Sequence, residues 1–219
     1  MNKPLQIDFV SDVACPWCAV GLASFERALQ KLGGDVPVEV RFQPFELNPD
    51  MSAQGQDATE YIAQKYGASP EQQAQNRANI SARGEAVGFA FRKEGRGRIW
   101  NTFDAHRLLA WAAEQGAQQQ RDLKMALLQA YHGEGRSPAD HAVLAEVAAS
   151  VGLPRQEAEE VLASDRYADE VRKREAHFQQ LGIQAVPSVI VNGRHLIQGG
   201  QPPEAFEQAL RQLAQQEAA

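Results

Sequence analysis

A chain of 219 residues, 43% of them hydrophobic, can bury roughly 70% of the surface it exposes when unfolded, so it needs neither a disulfide nor a metal to hold a core. Its 22 basic and 28 acidic residues are dispersed and sum to a formal net charge of −6, which argues against a nucleic-acid surface. The N-terminal "MNKPLQIDFV" has no apolar run of signal-peptide length, and nothing later approaches the roughly 18 apolar residues of a membrane span, so a cytoplasmic protein without a membrane partner is expected.

In chain order, "LQIDFV" (5–10) reads as a strand and "VEVRFQPFEL" (38–47) as a second, with Pro44 bending it or ending its pairing. Between them Leu22, Phe25, Leu29 and Leu32 recur on one helical face until Gly33 and Gly34 stop the helix. Strand, helix and strand over so short a span form a βαβ unit. A helical block follows. Asp57 with Glu60 fits a capping box, and Ser69-Pro70 and Ser137-Pro138 each offer an N-cap followed by proline at the first helical position. Gly67, Gly88, Gly116, Gly152 and Gly182 sit where helices would end. The basic stretch "FRKEGRGRIW" (91–100) reads as a solvated loop. A helix over 102–115 buries Ala105, Leu108, Leu109 and Ala112, with Trp100 and Trp111 as packing residues, and a helix over 165–181 leads to the strand "PSVIVN" (187–192). The "NGR" turn joins that strand to "HLIQG" (195–199), and Phe206, Ala209, Leu210 and Leu213 mark a last helix before a frayed "AQQEAA". The expected fold is α/β, a split scaffold of residues 1–50 and 164–219 with an inserted all-helical domain over 51–163.

Both cysteines, Cys15 and Cys18, lie in "DVACPWC" where the first strand hands over to the first helix. As a clasp the pair is poor, because a bridge over two residues removes little loop entropy from the unfolded chain. As a zinc site it lacks ligands: there is no second C-x-x-C, and His106, His132, His141, His177 and His195 are scattered. As a reagent it is well placed. Free amides and the positive end of a helix dipole favour a thiolate, by about 2 kcal/mol at best, which would bring a thiol from about 8.5 to about 7. Cys15, the more exposed member, is then the expected nucleophile, and Cys18, one turn inside, the thiol that resolves a mixed disulfide. Pro16 fixes the first turn and Trp17 offers a flat apolar lip.

The motifs "DVACPWC", "NTFDAHRL" (101–108), "AYHGEGRSPAD" (130–140) and "GIQAVPSVIVNGRHLIQGGQPPEAF" (182–206) span most of the chain. On these residues it resembles the thioredoxin-fold DsbA-like oxidoreductases, in the branch called FrnE-like. Relatives of that branch include glutathione-dependent 2-hydroxychromene-2-carboxylate isomerases and kappa-class glutathione transferases. The resemblance implies a thioredoxin fold in which Pro187 is cis and faces the cysteines, with the Val186 backbone pairing with an extended substrate segment. It implies that Asn101 and His106 line the groove above the cysteines. The family's buried proton-transfer acid falls at Phe9 here, leaving Asp8 and Asp12 as the nearest acids; Asp12 reads equally well as a turn residue.

The expected activity is thiol–disulfide exchange on protein or small-molecule substrates. It needs no bound cofactor or metal beyond a redox-active Cys15–Cys18 disulfide, with glutathione as an optional co-substrate. The alternatives are a glutathione-dependent isomerase or transferase acting on a small aromatic molecule, and a redox-regulated holdase. Monomer and homodimer both remain open.

Overall fold

The computed structural model describes residues 3–217. Strand β1 (Leu5–Ser11) feeds helix α1 (Pro16–Leu32), which returns to strand β2 (Val38–Pro44) parallel to β1. Near the other end, β5 (Ser188–Val191) runs antiparallel to β1 and β6 (His195–Gln198) antiparallel to β5, giving the sheet order β2-β1-β5-β6. Helix α9 (Pro203–Glu217) then packs beside α1. Asn192 and Gly193, both at positive φ (53° and 66°), close the β5–β6 hairpin, as an Asn-Gly turn requires.

Leu5, Ile7 and Phe9 bury their side chains with Leu22, Phe25, Phe206 and Leu210 of α1 and α9. Phe25 is the hub, its ring centroid 5.5 Å from Phe9 and 5.4 Å from Phe206, both edge-on. Strand β1 is also covered on its other face, where Val10 and Ile190 meet Phe45, Phe178 and Ile183. A central strand sandwiched in this way cannot slip register without exposing one of its two apolar sets.

The segment between β2 and β5 is mostly helical. It contains the two-residue strands β3 (Gln56–Asp57) and β4 (Arg98–Ile99), paired antiparallel, and helices α2 (Ala58–Tyr66), α3 (Pro70–Val87), α4 (Phe103–Gln115), α5 (Ala117–Leu128), α6 (His141–Ser150), α7 (Arg155–Leu162) and α8 (Ala168–Gln180). Ala105, Leu108, Leu109, Trp111 and Ala112 of α4 join Leu123, Leu144, Val147 and Val161 in a second core, and Val13 and Ala14, just before the cysteines, are part of it. The helical segment therefore grips the chain at the cysteine motif itself.

Several boundaries differ from the sequence expectation. β2 ends at Pro44 rather than at 47, because proline has no N–H to continue the ladder. β5 begins at Ser188, leaving Pro187 outside it. Ser137 does not cap a helix: its hydroxyl accepts from the Ala139 amide in a local turn, and α6 starts after Asp140, whose carboxylate accepts from Ala142 at 2.8 Å and Val143 at 3.4 Å. α8 starts at Ala168 because Tyr167 is left-handed (φ 64°). A π-helical turn (Gln129–Gly133) follows α5. At the C-terminus, helix replaces the expected fraying through Glu217, and positions 218–219 lie outside the described residues. By contrast, the Asp57 and Ser69 caps and the glycines at 67, 88 and 116 sit where the sequence puts helix ends.

Candidate active site

Cys15 is the N-cap residue of α1, with extended backbone (φ −90°, ψ 115°) and Pro16 in the first turn. Proline is tolerated there because the first helical amides have no intrahelical acceptor. The turn is shaped by Asp12, whose backbone carbonyl accepts from the Cys15 amide at 3.3 Å and whose Oδ1 accepts from the Ala14 amide at 3.0 Å. Cys18 lies one turn further, its amide donating to the Cys15 carbonyl at 3.1 Å. Both thiols are free; Cys15 is 5% exposed and Cys18 fully buried.

The two sulfurs titrate in opposite senses. A hydrogen bond from the Cys18 thiol, aided by the backbone amides of Cys18 and Trp17 and opposed by burial and Asp12, holds the Cys15 pKa below that of an ordinary thiol. Burial pushes the Cys18 pKa well up, and the neighbouring Cys15 adds to it. The pair therefore separates into one thiolate former and one proton holder.

Across from Cys15 stands the loop before β5. The Val186–Pro187 bond is cis, and the Cys15 thiol donates to the Val186 carbonyl at 3.6 Å, from 171 residues away. The loop seats against α1 at Gly21: a Cβ there would lie 2.8 Å from Pro187 Cγ and 3.3 Å from Gly200 Cα, so this approach needs a residue without a side chain. Trp17 is half-buried beside the cysteines in sequence.

Asp12 and Asp8 part company here. Asp8, on β1, is half-buried and accepts from Gln43 Nε2 at 2.6 Å. Asp12 is fully buried, and besides Ala14 it accepts from the Thr102 hydroxyl at 2.8 Å and the Leu47 amide at 2.7 Å. Burial alone would raise its pKa, but His106 and these amides outweigh it and hold the carboxyl below the usual range. His106 Nε2 stands 3.5 Å from Asp12 Oδ1, too long for a strong hydrogen bond, and has no other partner among the described residues. Asn101 Oδ1 accepts from the Phe103 amide at 2.9 Å, and its Nδ2 donates weakly, at 3.4 Å, to Glu46 and to the Pro49 carbonyl.

A groove of about 270 Å³ runs beside Pro16 between α2, α3 and the 91–97 loop. Arg77, Arg92, Lys93 and Arg96 line it, against Asp57 and Glu94, while Asn101 and His106 do not. The basic loop is thus more than a solvated connection: Arg96 donates to the Ala14 carbonyl at 2.7 Å, tying it to the cysteine motif.

Lys124 and His132 lie outside the cysteine and cis-proline motifs. His132 is buried in the π-helical turn, where it donates Nε2–H to the Val13 carbonyl at 2.8 Å; burial, with Arg96 nearby, pushes its pKa down to about 3. Lys124 is 1% exposed and donates to the Ser11 carbonyl at 3.4 Å. Its signal was present, a lysine between Leu123 and Leu127 on the buried face of α5. Among the described residues, no group of three or more His, Cys, Asp or Glu side chains is arranged to hold a metal ion.

The family model for the DSBA-like thioredoxin domain matches residues 6–211. A probable DsbA oxidoreductase from Streptomyces coelicolor is 37% identical and superposes with a TM-score of 0.87, over 97% of this chain and 91% of that one. Two more distant structures share the fold. One is a 2-hydroxychromene-2-carboxylate isomerase, with 16% identity, TM-score 0.70 and coverage of 97% and 98%. The other is the cytosolic disulfide reductase DsbM of Pseudomonas aeruginosa, solved with glutathione, with 18% identity, TM-score 0.68 and coverage of 96% and 99%.

Proposed function

The chain belongs to the DsbA-like thioredoxin domain family, and from that premise we propose that it is a thiol–disulfide oxidoreductase in which Cys15 attacks and Cys18 resolves. The observation that carries the reading is the setting of Cys15: a sulfur of lowered pKa at the start of α1, facing the Val186 carbonyl of the cis-proline loop. The Cys15 thiolate attacks one sulfur of a substrate disulfide, forming a mixed disulfide and releasing the other half as a thiolate. Cys18, as a thiolate, then attacks Cys15 Sγ, closing the Cys15–Cys18 disulfide and releasing the second half of the substrate reduced.

Pro16 and Trp17 fix and border the nucleophile, and the Val186 backbone aligns an extended substrate segment by strand addition. Of the two candidate acids, Asp12 is the one buried beside the motif, and with both carboxylate oxygens engaged it fits a turn-stabilising role rather than proton transfer. His106 supports that carboxylate, and Asn101 holds the start of α4. The division into a thioredoxin-like unit (1–50 and 164–219) and a helical insertion (51–163) belongs to the same reading, with the groove beside Pro16 as the insertion's contribution to substrate choice. Among the described residues no helix is long and apolar enough to cross a membrane, and a cytoplasmic site of action is part of the proposal.

A second reading, a glutathione-dependent isomerase or transferase, draws on the basic groove and on the shared fold of the isomerase. One experiment separates them. Cys18→Ser incubated with oxidised glutathione or a disulfide peptide should accumulate a mixed disulfide on Cys15, seen as a single mass adduct that dithiothreitol removes. An absent adduct, together with isomerase turnover that survives the substitution, would favour the second reading.

A further inference from the structure

The cysteine pair leaves one buried cation unused. Lys124 on α5 is among the largest fully buried side chains, and among the described residues its ammonium donates one long hydrogen bond, 3.4 Å, to the Ser11 carbonyl. A buried ammonium so poorly partnered is costly to keep charged. Lys124 also lines a small cleft between β2, α4, α5 and α8, together with His106, Gln43, Gln120 and Arg174. The cleft shares no lining residue with the groove beside Pro16. Its volume of about 20 Å³ suits one water, and its polar lining supplies partners for one.

We propose that Lys124, supplied by the helical insertion, carries the Cys18 proton to and from solvent through this cleft. Lys124 is a positioning residue in that role, and the proposal rests on the reading of Cys18 as the resolving thiol.

The neighbours narrow the choice. Among the described residues the charges of Cys18, Asp12 and Cys15 act on Lys124, which in turn acts on His132; His106 of α4 and Arg174 of α8 share its cleft, and Glu46 is coupled to His106 and Glu175. On α5 itself, Arg121 is paired with Glu26. Asp12 has both oxygens engaged by three donors and is held ionised, so it is a poor proton acceptor. His132 holds a proton only below about pH 3 and points at Val13. Burial lowers the Lys124 pKa, while Cys18, Asp12 and Cys15 pull it back up, so its charge answers to that of the cysteines.

The step balances. In the mixed disulfide the Lys124 amine accepts the Cys18 proton and becomes an ammonium. The Cys18 thiolate attacks Cys15 Sγ, and the substrate sulfur leaves with the electron pair of the broken S–S bond. Lys124 then passes the proton to water in the cleft. In the reverse direction a substrate thiolate opens the Cys15–Cys18 disulfide, and the Lys124 ammonium protonates the departing Cys18 thiolate.

The test is the rate of mixed-disulfide resolution against pH, in single turnovers of wild type, Lys124→Met and Lys124→Arg. Both variants should resolve about 10²-fold more slowly at pH 7 and gain rate with hydroxide until they approach wild type at high pH. Arginine keeps a cation but does not deprotonate, so wild-type rates in Lys124→Arg would overturn proton carriage in favour of simple charge. An unchanged rate and pH profile in Lys124→Met would overturn the proposal outright. Should neither variant fold, ¹⁵Nζ NMR of lysine-labelled wild type decides: a Lys124 amine titrating below the ordinary lysine value of about 10.4 is expected, and one titrating at or above it overturns the idea. Failure of Cys18→Ser to trap an adduct would count instead against the role of Cys18.

Discussion

Cys15→Ser is expected to lower disulfide-exchange turnover by about 10³-fold or more, the scale seen when an activated nucleophile is removed. The serine hydroxyl cannot form an anion where a thiol of lowered pKa can. Cys18→Ser should behave differently. Its first attack stays close to wild type while resolution fails, so it loses steady-state turnover yet accumulates adduct. Insulin reduction followed by turbidity, with mass spectrometry on the same samples, reads both outcomes. Retained turnover in Cys15→Ser would remove the nucleophile from the account.

Acid should destabilise the fold through His132. Its folded pKa is about 3, below the ordinary 6.5. Between those values the unfolded chain binds a proton that the folded chain does not, so stability falls as pH falls, starting near 6.5 and complete near 3. At pH 4.5 the loss is about 3 kcal/mol. Asp12, its carboxyl held low in the fold, adds a loss of the same sign as pH drops through its folded pKa. Glu46 and Glu175, raised chiefly by burial, work in the opposite direction. Comparison with His132→Gln, which can still donate to Val13, isolates the imidazole. Unfolding free energies from urea titrations at pH 7 and 4.5 should separate by about 3 kcal/mol less in the variant than in wild type, and an equal separation would contradict a buried neutral His132.

The strands and caps were legible in the sequence because their causes are local. The alternation into "LQIDFV", the Asn-Gly turn, the serine before Pro70 and the glycines after helices all act within a few residues. Ser137 misled for the same reason: it carries a sound capping signal, but Asp140, three residues on, competes better for the free amides. The cysteine motif was legible as a candidate for thiol chemistry, whereas its surroundings were not. Lys124 reaches Ser11 across 113 residues, Thr102 reaches Asp12 across 90, and Arg96 reaches Ala14 across 82. No periodicity encodes such contacts; they follow from how the helical segment folds back onto Val13 and Ala14. The two candidate acids illustrate the limit. Asp8 and Asp12 look alike in the sequence, and only the burial of Asp12 under Thr102 and Leu47 separates them.

The central claim, that Cys15 is the activated thiol of the pair, is tested most directly by the pH dependence of alkylation. Reduced protein treated with iodoacetamide, with the modified residue identified by mass spectrometry, should react at Cys15 with a midpoint below the ordinary thiol value of about 8.5, while Cys18 stays unmodified over the same range. A midpoint at or above that value, or modification appearing first at Cys18, would contradict the account.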